Sequence, residues 1–304
     1  MSKKRLDDIL VDLGYFDNKS KAAAAILSGN VKINDEVITK AGFQIDPEKK
    51  LKVDIKSMPY VSRGGFKLEK ALKTFDIKIK DRICLDAGAS TGGFTDCLLQ
   101  RGAKKIYAVD VGYGQLAWKI RSDTRVKTIE RTNIKNCNFG DIYTETTSNV
   151  MLNSFQHRIS ERPCDPETSS GRRTILNDEI ADLLVMDVSF ISIEKVLPNL
   201  KKLLKPDFQE LICLIKPQFE AGKNLVDKGG VVKDKNIHID VINKVINFAK
   251  NLGYKVLDLT SSPIKGPSGN IEYLIYLATE GTEKDFSVNE IVENAQKSVR
   301  HAGT

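Results

Sequence analysis

No stretch of the 304 residues approaches the roughly 20 consecutive apolar positions that a membrane-spanning helix needs. The start, MSKKRLDDIL, is basic but runs into acidic residues, and no apolar segment follows it, so no secretory signal is expected. No Cys-x-x-Cys pair occurs. Cys84, Cys97, Cys137, Cys164 and Cys213 are scattered and odd in number. That argues against a disulfide frame or a zinc site and for reduced thiols in a cytoplasmic protein. Glycine (21) and proline (9) are too sparse and aperiodic for a collagen-like chain, and 41% hydrophobic residues exclude wholesale disorder. At about 150 residues per domain, the length fits two globular domains.

The net charge of +7 is unevenly spread. Residues 1–80 hold 17 Lys+Arg against 11 Asp+Glu, and the remainder is almost balanced at 30 against 29. A local basic excess is the footprint of a module that meets phosphate backbones, although a solvated lysine-rich face has the same composition.

Residues 1–58 read as a small separate module. Leu6, Ile9, Leu10 and Leu13 have helical spacing over residues 3–13, and an alanine-rich helix is expected over 20–27. A strand, turn and strand follow over 31–38, and Leu51, Val53 and Ile55 alternate as a further strand. Two short helices before a small sheet resemble the S4 RNA-binding domain. That resemblance implies RNA contacts, for which the candidates are Lys3, Arg5, Lys19, Lys21, Lys32 and, beyond the module, Arg63. Residues 59–65 read as a linker, with a basic helix beginning at Phe66.

From residue 81 onward, short apolar strands alternate with helices, the pattern of a parallel, doubly wound α/β sheet. The last two strands, over 255–261 and 272–278, have no helix between them, so one is expected to run antiparallel. Residues 138–174 break this rhythm. They are polar and aperiodic, and read as a disordered insertion. Its His157 and Cys164 have no ligand partners at suitable spacing, so no metal is expected. The second domain spans 66–281, and 282–304 is a C-terminal tail containing a short helix.

The segment LDAGASTGGFTD (residues 85–96) follows a strand and opens a helix. Glycines there let the backbone turn sharply and approach a bound cofactor. Asp110 ends the next strand, about 20 residues on, where a carboxylate accepts hydrogen bonds from a ribose diol. The spacing departs from G-x-G-x-x-G, and Asp86 ahead of the turn would repel a pyrophosphate. An acidic residue suits instead the cationic methionine end of S-adenosyl-L-methionine (SAM). The cofactor candidates are Asp86, Gly88, Ser90, Gly92, Gly93, Phe94, Asp110 and, beside the adenine, Asn133. A nicotinamide-dependent oxidoreductase is the lesser alternative.

Lys67, Asp187, Lys216 and Glu272 fall at the ends of expected elements on one side of the sheet, where open α/β sheets bind ligands. In order and context they are similar to the Lys-Asp-Lys-Glu tetrad of FtsJ-like ribose 2′-O-methyltransferases. With the S4-like front, residues 3–280 outside the insertion resemble the TlyA family, also called hemolysin A. The segments that carry this are Ser62-Arg63-Gly64-Gly65-Phe66-Lys67-Leu68, residues 85–96, Asp187-Val188-Ser189-Phe190-Ile191 and Ile215-Lys216-Pro217-Gln218-Phe219-Glu220. The resemblance implies a Rossmann-like methyltransferase domain, SAM as cofactor, and a cytidine ribose of ribosomal RNA or ribosomal subunits as substrate. A ribose hydroxyl is a weak acid. Lys216 would stabilise its alkoxide or take its proton, Lys67 would add positive potential, and Asp187 and Glu272 would orient both lysines. The alternative is a non-catalytic RNA-binding ribosome assembly factor on the same fold. Membrane lysis finds no support in the hydropathy pattern.

Overall fold

The computed structural model describes residues 3–16, 18–27, 29–46, 51–55, 58–143 and 179–301. The chain divides into two compact units, Met1–Pro59 and Tyr60–Thr304.

The first unit runs β1 (Lys4–Arg5), α1 (Leu6–Asp12), α2 (Lys19–Leu27), β2 (Val31–Ile33), β3 (Glu36–Val37), β4 (Gln44–Ile45) and β5 (Val53–Ile55). β2 lies between β3 and β5, antiparallel to both, and β1 pairs with β4. The tight turn from β2 to β3 puts Asn34 and Asp35 at φ 52° and 70°, a left-handed pair that short polar side chains tolerate. Leu6, Ile9 and Leu10 meet Ala22, Ile26, Val31, Ile33 and Ile45 in one small core. The first helix is shorter than the spacing suggests, because Lys4 and Arg5 are taken up in pairing with Ile45 and Gln44.

The second unit runs α3 (Gly64–Phe75), β6 (Ile83–Ala87), α4 (Gly93–Gln100), β7 (Lys105–Val109), α5 (Trp118–Arg121), β8 (Val126–Ile129), α6 (Phe139–Tyr143) and β9 (Leu183–Met186). It continues with α7 (Ile193–Lys201), β10 (Glu210–Ile215), α8 (Pro217–Glu220), α9 (Lys235–Asn251), β11 (Lys255–Ser261), β12 (Tyr273–Ala278) and α10 (Val288–His301). The sheet order is β11-β12-β10-β9-β6-β7-β8. β12 runs antiparallel to both its neighbours, and the remaining pairs are parallel. Leu184 and Met186 of β9 face one core, while Leu183 and Val185 face the other. A strand covered on both faces has no polar side to show, which is why these central strands read as unbroken apolar runs.

Three boundaries differ from expectation. Residues 60–65 are not a free linker: Tyr60 is buried and the Val61 N–H donates to Asp96 Oδ2 at 2.9 Å. Residues 139–143, expected inside the disordered insertion, are α6. Its Tyr143 is buried, donating to the Leu203 carbonyl at 2.6 Å and accepting from the Ala181 N–H at 3.2 Å. One helical turn of mixed polarity has too little periodicity to stand out in sequence. The rest of that segment, 144–174, lies outside the described residues. The C-terminal tail contains α10, whose Val292 and Ala295 join the core.

At the sheet end opposite the strand carboxyl termini, Arg82 Nε donates to Asp182 Oδ1 at 2.7 Å, and the guanidinium also pairs with Glu210. Tyr276 donates to Glu210 as well. This network ties β6, β9, β10 and β12. Arg82→Ala would leave two largely buried carboxylates uncompensated, a loss of about 3 kcal/mol and about 6–12 °C in Tm. Thermal unfolding checks it; an unchanged Tm would show the network to be structurally idle.

Candidate active site

Two adjoining cavities open beyond the carboxyl ends of β6, β7, β9 and β10. The turn after β6 starts at Gly88, at φ 88°. A Cβ there would lie 2.7 Å from the Asp187 carbonyl oxygen, so only glycine lets the ends of β6 and β9 approach this closely. The Gly88 and Ala89 N–H groups both donate to the Val109 carbonyl, at 2.9 and 3.1 Å. Asp110 fixes the turn from the other side. Its Oδ2 accepts from the Ser90 N–H at 2.8 Å and its Oδ1 from the Gly112 N–H at 2.7 Å. A cavity of about 490 Å³ results, lined by Gly88, Ser90, Asp110, Asn133, Val188 and Phe190 among others.

The neighbouring cavity is about 300 Å³. Ser62, Arg63, Lys67, Lys216 and Lys265 line it, and it shares Gly88, Ser90, Asp187 and Ser189 with the first. The N-termini of α3 and α4 meet at its edge: a Cβ on Gly93 would lie 2.2 Å from Ser62 Oγ and 2.9 Å from the Gly65 nitrogen. Here the four expected tetrad residues form one chain of ion pairs. Lys67 Nζ is 2.7 Å from Glu272 Oε2 and 3.5 Å from Asp187 Oδ2. Lys216 Nζ is 2.6 Å from Asp187 Oδ1 and donates to Ser189 Oγ at 2.7 Å. Lys67 and Lys216 are only 7% and 8% exposed, and Glu272 1%. Burial pulls the Lys67 pKa down, but the Asp187 and Glu272 carboxylates outweigh it and leave that pKa raised. The Glu272 Oε1 atom is buried without a hydrogen-bond partner.

The other candidates separate into groups. Gly88, Ser90, Asp110 and Asn133 line the larger cavity, and Gly93 and Phe94 the smaller. Asp86 and Gly92 line neither. Asp86 is fully buried beneath the turn, accepting from Thr95 Oγ1 at 2.6 Å, with its Oδ1 unpartnered. Burial raises its pKa to about 7 against the Thr95 hydrogen bond, and the charges of Asp187 and Asp110 add to the rise. The Asp110 carboxylate on the cavity wall suits a ligand that carries positive charge and hydroxyls, as SAM does. Among the candidate RNA contacts, Arg5 is paired with Asp7 and Lys19 with Asp8, at 2.6 and 2.8 Å. Lys3 and Lys32 are exposed, as is Lys21, which is engaged in an interaction of its own. Arg63 lies in the second unit, at the smaller cavity.

Sequence reasoning missed Ser189 and Lys265. Ser189 sits two residues after Asp187, a spacing that could have suggested it. Lys265 belongs to a loop of no regular period and gave no such signal.

Comparison with known proteins gives the family. The model of the FtsJ-like methyltransferase family matches residues 60–279, and that of the S4 domain residues 4–51. The 16S/23S rRNA (cytidine-2′-O)-methyltransferase TlyA of Mycobacterium tuberculosis is 37% identical, over 98% of this chain and 97% of its own. Hemolysin A of Brachyspira hyodysenteriae is 40% identical, over 90% of this chain and 98% of its own. The solved structure of a proposed hemolysin from Streptococcus thermophilus is 36% identical, with a TM-score of 0.69, covering 100% of this chain and 99% of that one. The chain is therefore a member of the FtsJ-like methyltransferase family, of its S4-containing TlyA (hemolysin A) branch, and a SAM-dependent methyltransferase.

Proposed function

We propose that the protein methylates a ribose 2′-hydroxyl, that of a cytidine in ribosomal RNA, acting on RNA or ribosomal subunits in the cytoplasm. The chain of ion pairs Glu272–Lys67–Asp187–Lys216 along the smaller cavity carries this reading. The 2′-O-cytidine specificity in the name of the M. tuberculosis relative supports the choice of substrate. Among the described residues, no helix is long and apolar enough to cross a membrane.

The larger cavity would hold SAM, which supplies a methyl group on a positively charged sulfur. Each Asp110 oxygen accepts one backbone N–H and keeps a lone pair for a ribose hydroxyl. Asn133 would face the adenine. Asp86 acts from below by fixing the Gly88 turn through Thr95. The acceptor hydroxyl would enter the smaller cavity beside Lys216. The hydroxyl proton would pass to solvent as the oxygen takes the methyl group, and an ammonium there lowers the energy of the negative charge that the departing proton leaves on that oxygen. Asp187 holds that ammonium in place with one oxygen and faces Lys67 with the other. Ser189 limits the remaining freedom of Lys216.

Transfer of a labelled methyl group from SAM to ribosomal subunits tests the reading. The label should appear as a 2′-O-methyl nucleotide, and Lys216→Ala should lower kcat by about 10²–10³-fold with SAM affinity retained. A wild-type protein that binds SAM and subunits yet transfers nothing would return the chain to the non-catalytic assembly factor.

A second test addresses Asp86. Its folded pKa, about 7, exceeds the ordinary carboxylate value, so the folded state holds the proton more tightly than the unfolded state. Stability from this group is present at low pH and falls as pH rises from about 4 to about 7. Asp86→Asn removes that loss. Its stability relative to wild type should climb over the same window, by at most about 4 kcal/mol, and level off above it. Denaturant unfolding in the absence of SAM at several pH values reads this; a constant difference would mean that Asp86 is not shifted.

The S4 unit contributes RNA affinity on this reading. Lys32→Ala should weaken binding to ribosomal RNA and reduce the slope of log affinity against log salt by about 1. Titrations of the full chain at two salt concentrations measure it, and an unchanged slope would remove Lys32 from the interface.

A further inference from the structure

A third cavity, of about 390 Å³, lies beside the smaller of the two already described and shares one residue with it, Lys265. Val231, Val232 and Ile271 give it an apolar wall, Lys233 and Lys265 line it with positive charge, and no lining residue is acidic. Its volume is within the range of small-molecule sites.

The cavity is built by dedicated contacts. Asn270 is buried, and its Oδ1 accepts from the Val232 N–H at 2.9 Å while its Nδ2 donates to the Gly230 carbonyl at 2.8 Å. The Asn270 carbonyl accepts from the Gly266 N–H at 2.9 Å, closing the 266–270 turn. His238, fully buried on α9, sits 2.9 Å from the Val232 carbonyl through Nε2 and 2.9 Å from the Tyr273 hydroxyl through Nδ1. From α10, Gln296 donates to the Lys233 carbonyl at 3.1 Å. Asn270 thus holds residues 230–233 against the loop that leads into Glu272, and His238 of α9 and Gln296 of α10 fix the same segment from two other elements. That loop separates the two cavities: Ile264, Lys265 and Pro267 face the acceptor side, and Lys265, Gly269 and Ile271 face the other.

We infer that this cavity receives the nucleotide next to the one being methylated, with its phosphate against Lys265 and Lys233 and its base against Val231 and Ile271. The inference rests on the ribose-methylation reading above. A polynucleotide whose ribose sits beside Lys216 must leave that cavity, and Lys265 marks the wall it shares with a second one of suitable chemistry. Phosphate favours the two lysines, and a base face favours the apolar wall. The C-terminal helix thereby gains a role as the brace of this subsite through Gln296. The Lys233–Asp227 pair, at 3.0 Å, is exposed and easily given up.

The test uses the full chain and unmethylated ribosomal subunits, with two variants, Lys233→Ala and Val231→Trp. Lys233→Ala should raise both the KM and the Kd for subunits about three- to tenfold and lower the salt slope by about 1. Val231→Trp should raise both constants without changing the slope, because it fills the cavity and removes no charge. In both, kcat at saturating subunits and the Kd for SAM should stay within about twofold of wild type, the latter also reporting a folded protein. Unchanged KM, Kd and slope in both variants would overturn the subsite. If the wild type binds subunits but transfers no methyl group, the reaction fails as proposed, and the Kd values and salt slopes still decide the subsite. A wild type that does not bind subunits would overturn both.

Discussion

Burying two lysines is the constraint on which the second unit depends. An ammonium taken out of water is costly unless paired and hydrogen-bonded, and Lys67 and Lys216 are both nearly buried. The chain meets this with two carboxylates from different places: Asp187 at the end of β9 and Glu272 just before β12. The four charges cancel. Each comes from a separate element, so correct docking of α3, β9, β10 and β12 is a condition for any of them to be tolerated. A buried ion-pair chain of this kind is weak evidence for added stability. Its presence at the mouth of a cleft speaks for chemistry, since packing alone would be served as well by apolar side chains.

The sheet topology decides where that chain can lie. Parallel strands bring all their carboxyl ends to one edge, and the loops that follow β6, β7, β9 and β10 meet there. The antiparallel β12 enters from the same edge, which is how Glu272, at the start of a strand, reaches residues at the ends of others. Reversing this one strand lets a fifth loop, 262–271, join the site, bringing Lys265 with it. A sheet with every strand parallel would place Glu272 at the far end.

Sequence alone carried the order of strands and helices well, because strands covered on both faces are continuous apolar runs and α9 shows a clear amphipathic period. Asp187, Lys216 and Glu272 stand at the boundaries of such runs and Lys67 at the head of a helix; it was resemblance to FtsJ-like enzymes that joined them as a tetrad, and folding brings them into one set of ion pairs. Sequence failed where local pattern is weak. Residues 139–143 form a single turn whose burial depends on Tyr143 meeting Leu203 and Ala181, contacts between distant segments. Tyr60 is held by the second unit through packing against Gly65 and Phe66, which nothing in the local pattern of the expected linker, residues 59–65, foretells. The basic candidates of the first module show the opposite limit. Composition counts Arg5 and Lys19 as free cations, whereas folding pairs them with Asp7 and Asp8.

The same limit separates Asp86 from the residues that line the cleft. Its position before the glycine turn suggested direct contact with a cationic cofactor, yet it lies wholly beneath that turn. Asp187 takes the exposed position, on the wall common to both cavities and about one-fifth accessible. One of its oxygens holds Lys216 at 2.6 Å, while the other stands 3.5 Å from Lys67, whose closer partner is Glu272 at 2.7 Å. The pairing is therefore unequal: Glu272 anchors Lys67, and Asp187 is left to orient Lys216. A carboxylate so divided fixes the amine nearest the shared wall most tightly, and that is the place where an acceptor in one cavity would meet a methyl group held in the other.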